Sequence, residues 1–88
     1  MEIIRYDGTR LMTVHDVDRE FLGHSVLLDN REFSPNSRGY LLASAYSEDE
    51  DEAFEAMRKL NCLELGGLGL VLYGSAIRGM TIGIFDYA

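Results

Sequence analysis

Apolar and polar positions along this chain follow two different periods, and the switches between them mark its elements. Residues 2–6 are a short apolar run that reads as a strand, and Asp7-Gly8 after it is a turn signal. That turn either closes a hairpin with residues 10–13 or simply ends the first strand. Thr13, followed three residues later by Asp16, predicts a helix start, because the two side chains can cap each other's free backbone N–H. Val14, Val17 and Phe21 then fall on one helical face, and Gly23 is a natural stop.

Residues 24–29 read as the next strand, and residues 30–39 as a polar loop that holds the chain's one proline, Pro35. In residues 40–46, Leu41, Ala43 and Ala45 alternate against Tyr40, Leu42 and Tyr46, which predicts a further strand. Ser47 and Glu50 have the spacing of a capping box. The helix it opens should run to about Leu60 and end at Asn61 or Gly66. Ala53, Ala56, Met57 and Leu60 fall within an arc of roughly 100°, with Phe54 beside them. Asp51, Glu52, Glu55, Arg58 and Lys59 take the opposite side. Residues 68–73 and 80–87 read as two more strands joined by a hairpin at 74–79.

The resulting order predicts an α+β fold, namely a two-layer, mainly antiparallel sheet of four to five strands with one or two helices on one face. A ferredoxin-like β-α-β-β-α-β order fits it. Eighty-eight residues suit one domain spanning 1–88. A chain of this size buries roughly 60–65% of its unfolded surface, enough for one modest core.

Charge changes the picture more than composition does. The formal net charge is −7, and Glu48, Asp49, Glu50, Asp51, Glu52 and Glu55 crowd six carboxylates into one short segment. A direct nucleic-acid binder needs a basic surface, and none is visible in the sequence. Acids suit the first turn of a helix, which accounts for Asp49 and Glu50. Glu48 with Glu52, and Asp51 with Glu55, are like-charge pairs four apart and cost a few tenths of a kcal/mol each. Arg58 and Lys59 offset Glu55 alone. The run therefore admits two readings, a solvated helix face or a face that meets a basic partner, with Glu48, Asp51, Glu52 and Glu55 as the contact residues of the second.

Other constellations carry less. His15 and His24 have no metal-ligand spacing with Asp16, Asp18 or Cys62. Gly66-Gly67-Leu68-Gly69 precedes a strand-like run and lacks the helix N-terminus a phosphate loop requires. No serine sits in a Gly-x-Ser-x-Gly turn, and the acidic run has no calcium-loop spacing. Cys62, the one cysteine, reads as a small buried residue in a reducing compartment. The start of the chain lacks the basic and apolar pattern of a signal peptide, and no apolar run approaches a membrane span, so the expectation is a cytoplasmic protein. Five tyrosines are a second hint of an interface, since tyrosine is enriched there.

Neither a catalytic site nor a bound metal or cofactor is expected. In size and charge the chain resembles small phage-encoded inhibitors of bacterial defence such as anti-CRISPR proteins, although no aligned motif carries the likeness. What that resemblance implies is a non-enzymatic inhibitor that docks an acidic helix on a basic, nucleic-acid-binding partner. The alternative is a regulatory module that binds a small ligand or dimerises through its sheet.

Overall fold

The structure is a computed structural model that describes residues 1–33 and 37–76. Its elements are β1 (Glu2–Arg5), β2 (Leu11–Thr13), α1 (Val14–Glu20), β3 (Ser25–Asp29), β4 (Arg38–Tyr46), α2 (Glu50–Leu65) and β5 (Leu70–Tyr73). The α+β class is as the patterning predicts, with five antiparallel strands and two helices among the described residues. The strand expected at 80–87 and most of the 74–79 hairpin lie outside the described residues.

β4 is the spine. β1 and β2 line up in tandem along one of its edges, β1 against its second half and β2 against its start. The turn at Asp7-Gly8 thus ends the first strand and closes no hairpin. Gly8 takes φ +75°, and Asp7 accepts hydrogen bonds from the Thr9 backbone and hydroxyl. On the other edge of β4 lies β3, and β5 follows β3. Counting β1 and β2 as one strand, the chain order is β-α-β-β-α-β. The last strand joins beside β3 at the far side of the sheet, whereas a ferredoxin-like sheet places it beside the first strand.

That placement decides where the helices lie. Each helix joins two parallel strands across one intervening antiparallel strand, and both crossovers step the same way across the sheet. Their starting strands, β2 and β4, run in opposite directions. Crossovers of a single hand must then leave their helices on opposite faces. The side chains agree. Leu27, Ala43, Ala45 and Val71 pack with Ala53, Met57 and Leu65 of α2. Val26, Leu28, Leu70 and Leu72, of the other parity, pack with Met12, Val17 and Phe21 of the α1 side, and Leu41 joins them. Only α2 covers the face expected for a helix; α1 lies on the other.

Leu41 and Ala43 would share a face in a regular strand. A register shift between Leu27 and Leu28 sets one step of β3 against two of β4, from Ala43 to Leu41. This bulge at Leu42 turns Leu41 to the α1 side.

Both helix starts carry caps, but of different kinds. Thr13 and Asp16 form the predicted capping box. The second box does not form: Asp49 is the N-cap of α2, accepting from Asp51 N–H at 3.1 Å. Ser47 instead accepts from Asp49 N–H and donates to Glu52. Either residue type can cap, and the chain spends Ser47 and Glu48 on the turn out of β4. At its far end α2 runs to Leu65 and stops at Gly66, in the left-handed region at φ +61°. Asn61 stays within the helix, and its side chain accepts from Gly69 N–H at 2.8 Å. A Cβ on Gly69 would lie 2.6 Å from Asn61 Oδ1 and also strike Leu65, so the glycines serve a tight helix-to-strand turn.

Candidate functional site

α2 follows β4 after a short turn at residues 47–49, so its first turn stands at one end of the sheet. Glu48, Asp49, Glu50, Asp51, Glu52 and Glu55 are all exposed there. Among the described residues one ion pair engages this group, Arg58 to Glu55 at 2.6 Å. The Asp49 carboxylate is used as the cap, Glu52 accepts from Ser47, and Glu50 accepts from the Tyr73 hydroxyl. That bond to a carboxylate, with some burial, holds the Tyr73 pKa above its ordinary value. The four residues singled out from the sequence, Glu48, Asp51, Glu52 and Glu55, are thus brought together on one exposed end. Further along the same outer surface, Glu55, Arg58, Lys59, Cys62 and Leu63 line an open depression of about 430 Å³. Cys62 is exposed, contrary to expectation, because the helix continues past Leu60 and carries it round to the solvent side.

A second feature escaped the sequence reading. On the α1 face four rings form a file, each in contact with the next. Tyr6 meets Phe21 edge-on at 6.1 Å, Phe21 meets His24 at 6.2 Å, and His24 meets Tyr46 at 5.2 Å. The Tyr6 hydroxyl shares a 2.9 Å hydrogen bond with buried Ser44. Tyr46 ends the file at 54% exposure, and Ile4 beside it is 48% exposed. Around them Glu2, Ile4, His24, Ser44, Ala45 and Tyr46 line a cavity of about 300 Å³. Three segments build it, which depends on strand register: Glu2 lies across from Tyr46 and Ile4 across from Ser44. The tyrosine content was the one signal pointing this way.

Among the described residues, the carboxylates with lowered pKa are held by near neighbours in the chain. Thr13, through its backbone and then its hydroxyl, holds Asp16 below the usual carboxylate range. Asp7 is lowered by Thr9 and Asp29 by Arg31. These are capping and turn bonds rather than acid–base machinery. Among the described residues no group of three or more His, Cys, Asp or Glu is placed to hold a metal, and no helix is long and apolar enough to cross a membrane. Comparison with models of known protein families, with curated proteins and with solved structures finds no match in any of the three.

Proposed function

We propose that the protein is a non-enzymatic binding module, an inhibitor that docks the acidic first turn of α2 on a basic surface of a nucleic-acid-binding protein. One observation carries this reading: six exposed carboxylates project from one end of a packed helix, with a single ion pair to them among the described residues. Like charges held this close on a fixed scaffold raise the local negative potential, which attracts and steers a basic partner. A surface that attracts Lys and Arg competes directly with phosphate for the same groups.

The test is a kinetic binding assay against the partner co-purified from the native host, using a chain with Asp51→Gln, Glu52→Gln and Glu55→Gln. All three residues are exposed, so the fold is expected to survive. The on-rate should fall about tenfold or more at low salt, with a flatter salt dependence, because steering acts mainly on association. An unchanged on-rate and salt slope would show that the acidic run is only a solvated helix face.

A further inference from the structure

We infer that the cavity between β1, β4 and His24 receives an arginine side chain of the basic partner, an assignment that rests on the docking reading above. Two other surface features carry less. The depression on the outer face of α2 draws its lining, among the described residues, from one helix. The edge of β1 exposes Ile3 and Ile4 but has nothing to define what pairs with it. The cavity differs in having walls from three segments and a chemistry that selects an occupant.

Its volume of about 300 Å³ is at the low end for small-ligand pockets and suits one long side chain. Tyr46 supplies an exposed ring and Ile4 an exposed apolar wall, where an aliphatic stem can lie. Glu2, directly across the strand pair from Tyr46, supplies a carboxylate beside that ring. Among the described residues no ion pair engages Glu2. His24 Nδ1 lies 3.0 Å from the Leu22 carbonyl, so Nδ1 carries a proton, and in the neutral form of the ring Nε2 is left as the acceptor. The cavity thus presents a ring face, a carboxylate and an imidazole acceptor. A guanidinium can stack on the first while donating to the others; an ammonium cannot do both as well. The acidic run begins two residues beyond Tyr46, at the same end of β4, so a basic surface that meets this end of the sheet has both the run and the opening at its edge.

The experiment titrates the isotope-labelled full chain with nona-arginine and, separately, nona-lysine peptide at low salt, followed by NMR. Nona-arginine should bind roughly fivefold or more tighter, the scale of one cation–π contact at an exposed site. The shifts should include Ile4, Ser44, Ala45 and Tyr46 as well as residues 48–55. Tyr46→Leu should abolish the arginine preference, Tyr46→Phe should keep it, and Glu2→Gln should weaken nona-arginine severalfold. Equal affinities, or shifts confined to residues 48–55, would overturn the cavity assignment and leave the docking reading standing. If neither peptide binds, both fall.

Discussion

The two faces of the sheet are closed by helices of unequal reach. On one side α2, sixteen residues and about 24 Å long, spans the sheet over a bed of small residues, Ala43 and Ala45, with Leu27, Met57 and Leu65 filling the gaps. On the other, α1 has seven residues and about 10 Å. The strands beneath it, spaced about 4.8 Å apart, make a surface wider than that. The helix touches β2 and β5 but is too short to cover the face, and the aromatic file Tyr6–Phe21–His24–Tyr46 continues along that face from its end. The corner that the described residues leave uncovered is where the cavity lies. A sheet face need not be sealed for a core to form, and the proposed arginine contact uses that opening.

The comparison breaks most sharply in the two cores. Met57→Ala on the α2 side and Leu28→Ala on the α1 side remove fully buried side chains and should each cost roughly 2–5 kcal/mol. Chemical denaturation of both variants checks this. If Leu28→Ala costs nothing, the α1 side is a surface layer and the sheet has one true core.

A smaller effect should separate the faces. A Cβ on buried Gly74 would strike the Phe21 carbonyl, where β5 meets the end of α1. Gly74→Ala should cost about 1–3 kcal/mol by overpacking. Hydrogen exchange should quicken in α1 and leave α2 protected; equal loss in both helices would mean the faces unfold as one.

The smallest effects concern the caps. Thr13→Ala should cost about 1 kcal/mol, a larger share of a two-turn helix than of a long one. Asp16 gives this cap a pH dependence. Its folded pKa is depressed by Thr13, so its contribution is complete above the ordinary carboxylate value and is lost as pH falls through the folded one. The wild type should therefore lose more stability on acidification than Asp16→Asn. Parallel acid curves for the two would show that the box adds nothing to α1.

How much of this was legible follows from the range of each interaction. The Thr13–Asp16 box spans three residues and could be read directly. The Ser47 box had the same spacing, yet Asp49 nearby caps as well, and the turn out of β4 favoured the later start. Periodicity located α2's buried stripe but stopped it at Leu60, because Asn61 reads as a helix end until its side chain is seen holding Gly69. Exposure of Cys62 follows from that extension. Glu48, Asp51, Glu52 and Glu55 could be grouped from spacing alone, since they are neighbours in the chain. Glu2, Ile4, His24 and Tyr46 could not.

The sequence by itself determined what local chemistry governs: the strand and helix segments, the cap of α1, the apolar stripe of α2 and the concentration of charge on its first turn. Tertiary structure decided what depends on strand pairing. The tandem β1 and β2 along β4, the bulge at Leu42 that sends Leu41 to the other face, and the helices on opposite faces all rest on which edges meet. So does the cavity, because Glu2 and Tyr46 become neighbours only through the register of β1 on β4. Alternation along one strand says which residues share a side; it is silent on which strand lies next to it and in what register.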